Sequence, residues 1–145
     1  MKTFCAILAL LSLVLTDTAH CADARKPLDE EFQRGFMKGE YDLIGRKPDS
    51  TTTYTGRVTL RVDGNTLYAS RTIEGKTVEG KIRFETGGDS VPIVRLSFTL
   101  DGVEYEATYL WQSDLDNYPR FTGTLHRIDN KTKTAGIEAL FPIHK

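Results

Sequence analysis

The chain has little of several things that would announce a function. It holds 2 cysteines, 1 tryptophan and 3 histidines in 145 residues. Both cysteines, Cys5 and Cys21, lie in the first 24 positions. A disulfide framework is therefore excluded for the remainder, whose stability must come from its core. Charge of one sign is also missing. The 19 Lys plus Arg stand against 20 Asp plus Glu, a net charge of -1. Such a balance carries no electrostatic footprint for nucleic acid or for an anionic membrane surface. No apolar run is long enough to span a bilayer. The longest, Phe4 to Leu15, has 12 residues, against the roughly 20 required.

That run has a different meaning. Lys2 precedes it and a polar stretch ending in Ala22-Asp23-Ala24 follows it, so residues 1–24 read as a secretory signal peptide. Cleavage after Ala24 is expected, with Ala19 and Cys21 as alternatives, and the product is periplasmic or secreted. It would retain 121 of the 145 residues, losing one basic and two acidic residues to leave 18 of each. About 120 residues suffice for a self-supporting core. Lipoprotein processing at Cys21 would want a small residue before the cysteine, and His20 stands there.

Residues 25–38 carry a short helix, read over 27–38. Pro27 suits its first turn, Asp29, Glu30 and Glu31 its positive end, and Arg34 and Lys38 its negative end, with Gly39 at C′. Leu28, Phe32 and Phe36 recur every four residues as one apolar stripe, expected to pack on a sheet or plug a barrel end. Gly35 weakens this helix by about 1 kcal/mol.

Residues 39–145 then switch to a period of two. Tyr54, Gly56, Val58, Leu60 and Val62 alternate with polar residues. So do Val78 to Phe84, Val94 to Leu100, and Val103 to Trp111. Segments near 40–46, 66–73, 119–128 and 134–141 alternate more weakly and complete a count of eight strands. Asp63-Gly64-Asn65, Glu74-Gly75-Lys76, Gly87-Gly88-Asp89 and Asp101-Gly102 are hairpin signals, and Asp129-Asn130-Lys131 marks a longer turn. Short sequential connections predict an all-β fold, an eight-stranded antiparallel up-and-down barrel with one short N-terminal helix. Gly56, Gly80 and Gly123 recur in an apolar-x-Gly-x-aliphatic pattern and are expected where strands bend or approach closely.

With these features the chain resembles the calycin-like barrels, the group of lipocalins and avidins. The stretch Gly39-x-Tyr41…Gly45-x-x-Pro48-Asp49…Tyr54-x-Gly56-x-Val58 also resembles a family of small exported bacterial proteins, over roughly residues 39–85. Some of its members carry a fibronectin-binding label. The lipocalin Gly-x-Trp is absent, with Gly39-Glu40-Tyr41 in its place, and Trp111 alone does not make an avidin-like site. The resemblance thus implies a fold and supplies no ligand residues.

Catalytic chemistry finds few residues. Cysteine catalysis goes with the signal segment, no G-x-S-x-G elbow exists, and a triad would need His126 or His144. Two separated histidines do not make a zinc site. Glu104 and Glu106 share a strand face, expected to be the wet one. Ser113-Asp114-Leu115-Asp116-Asn117 offers oxygen ligands without an EF-hand pattern. No enzyme, metal or cofactor is expected, and no nucleic acid or transmembrane segment.

Aromatics are the positive signal. Tyr105, Tyr109 and Trp111 share one strand face, with Tyr54 on the apolar face of another. In a barrel these either fill the interior or line a cup. Arg71 shares a face with Leu67, Ala69 and Ile73. Were that face inward, its guanidinium would need an anionic partner; were Tyr68, Ser70 and Thr72 inward, Arg71 would lie outside. The expected function is an exported, non-enzymatic binding protein, with a small amphiphilic or aromatic ligand held by Tyr54, Arg71, Tyr105, Tyr109 and Trp111. The alternative is an envelope protein–protein interaction module, adhesin- or inhibitor-like, with a filled barrel and a protein partner.

Overall fold

A computed structural model describes residues 29–88, 91–113 and 118–143. The signal segment, Cys5, Cys21, Pro27, Leu28, Asp89, the acidic positions of the 113–117 loop and His144 lie outside the described residues.

Period-two alternation needs one wet face and one dry face, and closing the sheet on itself provides both without leaving an edge. The chain does this with β1 (Gly39–Arg46), β2 (Thr53–Asp63), β3 (Thr66–Ile73), β4 (Lys76–Thr86), β5 (Pro92–Leu100), β6 (Val103–Ser113), β7 (Pro119–Arg127) and β8 (Gly136–Pro142). Each strand pairs antiparallel with the next, and β8 returns to β1 through the register Tyr41↔Pro142 to Arg46↔Ile137. The eight-stranded up-and-down barrel read from the sequence is the fold. At the Glu74-Gly75 and Asp101-Gly102 turns all four residues have positive φ, between 51° and 78°. That is the type I′ conformation whose twist matches the flanking strands.

The inward faces follow the apolar alternation. Leu43, Val58, Leu67, Leu96 and Leu125 are buried in one continuous core. Val62 departs from its expected place. It lies 38% exposed near the end of β2, where the wall runs past the packed interior. The three patterned glycines sit where strands crowd. A Cβ on Gly56 would come 2.4 Å from the Thr72 carbonyl oxygen, one on Gly80 would come 2.8 Å from that of Ser97, and one on Gly123 would come 2.1 Å from that of Thr108.

The helix α1 (Glu30–Met37) caps one end of the barrel. Asp29 is its N-cap and accepts from the Glu31 amide. Its buried face differs from the expected Phe stripe. Gln33, Arg34 and Met37 are buried, whereas Phe32 is 56% exposed and only stacks on half-buried Phe36. Hydrogen bonding outweighs apolarity here. Arg34 donates to Asn65 in the β2–β3 turn at 2.5 Å and pairs with Glu30 at 3.2 Å, while the Tyr41 hydroxyl donates to the Met37 carbonyl at 2.6 Å. These contacts set the rotation of the helix and leave Phe32 at its margin.

Outside, Arg83 and Arg95 stand directly opposite each other on β4 and β5. Like charges in that position repel. Glu106 sits between them, 3.1 Å from Arg83 and 2.7 Å from Arg95, and Glu85 lies 2.5 Å from Arg95. Glu104 and Glu106 are thus on the wet face, as is exposed His126, paired in register with Glu106.

Two glycine substitutions separate backbone crowding from helix propensity. Gly123→Ala is expected to lower stability by about 1–3 kcal/mol through overpacking. Gly35→Ala, with no atom within 4 Å of its Cβ position, is expected to raise it by up to about 1 kcal/mol. Urea unfolding of both variants checks the pair, and equal effects would refute it.

Candidate functional site

The barrel register lays one row of inward residues across five strands. Tyr54 on β2 stands beside Gly45 on β1, Gly45 beside Glu138 on β8, Glu138 beside Gly123 on β7, and Gly123 beside Tyr109 on β6. A glycine flanks the glutamate on either side. The room is used at once, since a Cβ on Gly45 would come 2.6 Å from the Tyr54 ring. The Tyr54 ring leans toward the glutamate over the space so left, and the Tyr109 hydroxyl reaches the glutamate from the other side.

Arg71 reaches the same point from β3. The face left open by the sequence is settled, because Arg71 is inward and 1% exposed. Its Nη1 donates to Glu138 Oε2 at 3.1 Å and to the Tyr109 hydroxyl at 3.2 Å, and its Nη2 donates to Glu138 Oε1 at 2.5 Å. The Tyr54 hydroxyl donates to Oε1, and that of Tyr109 to Oε2. Glu138 thereby accepts four hydrogen bonds, two on each oxygen, which uses its lone-pair capacity. The guanidinium lies 4.2 Å from the Phe98 ring centroid, a cation–π contact in a dry setting. Its Nε, also buried, has no partner among the described groups. A buried donor left so costs about 1–3 kcal/mol.

Proton affinities follow from this enclosure. Burial opposes ionisation of Glu138, yet the Arg71 charge and the bonds from Arg71, Tyr109 and Tyr54 outweigh it and hold the carboxyl below its usual value of 4.5. Burial raises the phenols of Tyr54 and Tyr109 above 10.0, and the Glu138 charge adds to both shifts. Burial disfavours the Arg71 cation, but Tyr109 and Glu138 beside it more than offset this, and its affinity for the proton rises.

Above the cluster the barrel is open. A cavity of about 300 Å³ lies at the end opposite α1, with Tyr54 and Arg71 among its lining. Its wall includes Ile73, Val78, Phe98, Leu100 and Tyr105, and Phe98 and Tyr105 stack at 5.6 Å. Two ion pairs link neighbouring segments of the rim, Lys76–Asp101 at 3.0 Å and Lys47–Glu74 at 3.9 Å. Asp49 ties the β1–β2 loop to the β7–β8 loop by accepting from the Lys133 and Thr134 amides at 2.9 and 2.6 Å. A larger hollow of about 840 Å³ near Arg46, Asp49 and Lys133 is lined only by polar residues, of the loops and the end of β1, and is a surface depression.

Of the five residues singled out from sequence, three line the cavity: Tyr54, Arg71 and Tyr105. Tyr109 belongs to the closed cluster at its floor. Trp111 lies at the other end, packed against Phe36 at 6.0 Å, and its buried indole Nε1 has no partner among the described residues. Glu138 was not among them. Its neighbours Ile137 and Phe141 look like the buried face of β8, yet they are 52% and 44% exposed. The overlooked signal is the spacing Gly136-x-Glu138-x-Leu140, which places the small and aliphatic residues on the glutamate's own face. Among the described residues no cluster of His, Cys, Asp or Glu could hold a metal, and no helix is long and apolar enough to cross a membrane.

Fold and site together define a closed eight-stranded meander with a buried ionic floor and an apolar cup at one end. Neither a scan against protein-family models nor a search of curated proteins returns a match to this chain.

Breaking the ionic floor on one side is expected to cost far more than removing it whole. Arg71→Met or Glu138→Leu alone should lower stability by about 3–5 kcal/mol, each stranding a buried charge. The double variant should lose clearly less than their sum, and additive losses in guanidinium unfolding would contradict the coupling.

The pH dependence has a sign at both ends. Glu138 has a folded pKa below its unfolded one, so its contribution is complete above about 4.5 and is lost as pH falls through the folded value. Tyr54 and Tyr109 have raised folded pKa values, so theirs is complete below 10.0 and is lost as pH rises beyond it. Thermal unfolding is expected to show a plateau between those limits, with an alkaline limb that is shallower in Tyr54→Phe. An unchanged alkaline limb in that variant would count against the assignment.

Proposed function

We propose that this protein is an exported, non-enzymatic binding protein that holds a small amphiphilic or aromatic ligand in the open end of its barrel. The observation that carries this reading is the cavity of about 300 Å³, apolar in its walls and polar at its floor. That combination, a mostly apolar concavity with a few fixed polar groups, is the usual form of a small-molecule site. The cross-linked rim supports it, because a preformed cup avoids the ordering cost of closing around a ligand. The secretory character of residues 1–24 and the lack of cysteine beyond them support export to the periplasm or medium. The closed meander accords with the calycin-like resemblance.

A second reading, a protein-interaction module of the envelope, is favoured by a separate feature. On the outer face Ile44, Ala139, Thr122 and Leu110 are lateral neighbours across β1, β8, β7 and β6, and Ile137 and Phe141 flank them on β8. Ile44, Leu110, Ile137 and Phe141 are exposed, and grouped exposed apolar residues mark association surfaces.

Trp111 is remote from the cup, so thermal stabilisation is a better reporter than its fluorescence. With a naphthalene-sized aromatic probe at 100 times its Kd, the native chain is expected to gain about 2.7 kcal/mol. Val78→Trp, which fills the cup, should keep the far-ultraviolet spectrum and lose the response. Stabilisation that persists undiminished in that variant would place the ligand elsewhere and overturn the cup.

A further inference from the structure

We infer that the ligand of the cup is a zwitterionic amphiphile, with a short apolar tail seated in the cavity and a head carrying one positive and one negative charge at the mouth. This rests on the binding reading above and specifies the class of ligand.

Depth and mouth offer a ligand different surroundings. The walls are apolar, with Ile73, Val78, Phe98 and Leu100 among them, and at about 300 Å³ the cavity lies at the small end of ligand pockets. At the floor Arg71 is 1% exposed and is engaged with Glu138, so the floor receives no head group. A charged head pushed down among the apolar walls would lose its water without compensation. It therefore stays at the mouth, while the tail buries apolar surface below.

The mouth carries charge of both signs in alternation. Lys47 follows β1, Glu74 lies in the β3–β4 turn, Lys76 opens β4 and Asp101 lies in the β5–β6 turn, and all four line the cavity. In the strand order of the barrel they read plus, minus, plus, minus. All are exposed, so each keeps hydrogen-bonding capacity beyond its partner. The Lys47–Glu74 pair stands open at 3.9 Å, whereas Lys76 and Asp101 meet at 3.0 Å. A head of single charge set among them meets a repelling group a few ångströms from each attracting one, and the two effects largely cancel. A head with both charges a few bonds apart lays each against its opposite. The mouth thus has no preference for an acid over an amine and favours a molecule that is both.

Probes sharing an octyl tail test this on the native chain at pH 7: octylphosphocholine, octyl sulfate, octyltrimethylammonium and octyl glucoside, each kept below the concentration at which it self-associates. Calorimetry at about 10 mM and about 1 M salt spans Debye lengths of about 30 and 3 Å. At low salt the phosphocholine is expected to bind about five-fold more tightly than each of the others, the scale of two exposed ion pairs. At high salt that advantage should largely vanish. Lys76→Gln should move the preference toward the ammonium, and Asp101→Asn toward the sulfate. These side chains are 63% and 69% exposed, so neither change disturbs the packed interior. Glycerophosphocholine, a head without a tail, should not bind at millimolar concentration; its binding would point to a soluble zwitterion and overturn the amphiphile. Equal affinities for the octyl probes, or tighter binding of the sulfate or the ammonium, would overturn the zwitterionic head and leave the cup itself standing. A phosphocholine advantage that survives high salt and both substitutions would place the head away from the rim charges and overturn the assignment as well. Failure of every octyl probe at millimolar concentration would overturn the binding reading together with this one.

Discussion

The salt bridge between Arg71 and Glu138 is the constraint on which the rest of the barrel is arranged. Each charge alone inside a dry interior would cost several kcal/mol, and pairing offsets that cost best where the carboxylate's remaining hydrogen-bonding capacity is filled. Glu138 reaches that state through two tyrosines and the arginine. Those four groups come from β2, β3, β6 and β8, so the cluster exists only when the sheet has closed. It acts as a register check as much as a source of stability. A slip of one residue in β8 would turn Glu138 outward and leave Arg71 buried without its counter-ion.

Glycine is the geometric counterpart of that electrostatic demand. Gly45 and Gly123 flank the glutamate, and any side chain there would occupy the volume through which Tyr54 reaches it or collide with the neighbouring strand. The same residues that let strands crowd at Gly56 and Gly80 thus serve a second purpose along the cluster row. The barrel is divided in consequence. Toward α1 it is filled by aliphatic and aromatic packing, including the edge-on Tyr41–Phe121 contact at 5.4 Å. Away from α1 that packing stops at the polar floor made by Arg71, Glu138 and the two tyrosines. The cup is what remains above.

Much of this architecture is visible before any coordinates. Alternation over Tyr54–Leu60, Val78–Phe84, Val94–Leu100 and Val103–Trp111 assigns the inward faces correctly, because both partners of each hairpin obey the same period. The Glu-Gly and Asp-Gly turns announce their own conformation. Local signals fail where a long-range partner changes the value of a residue. Phe32 reads as core and Arg34 as surface, yet Asn65, far along the chain, accepts from the arginine and reverses their roles. On β8 the charged Glu138 is buried opposite Arg71, and the apolar Ile137 and Phe141 are left exposed. Trp111 shares a strand face with Tyr105 and Tyr109, and only the position of α1 decides that it belongs to the opposite end.

The sequence by itself therefore determined the strand count, the hairpin connections, the near-balance of charge and the need of an inward Arg71 for an anion. These depend on neighbours within a few residues or on simple counting. Which carboxylate answers Arg71, which end of the barrel stays open and which aromatics share a cavity were decided only by the tertiary structure. Glu138 is 67 positions from Arg71. Barrel closure alone brings β8 back to face β3, and the energy of a buried charge depends on what it meets there.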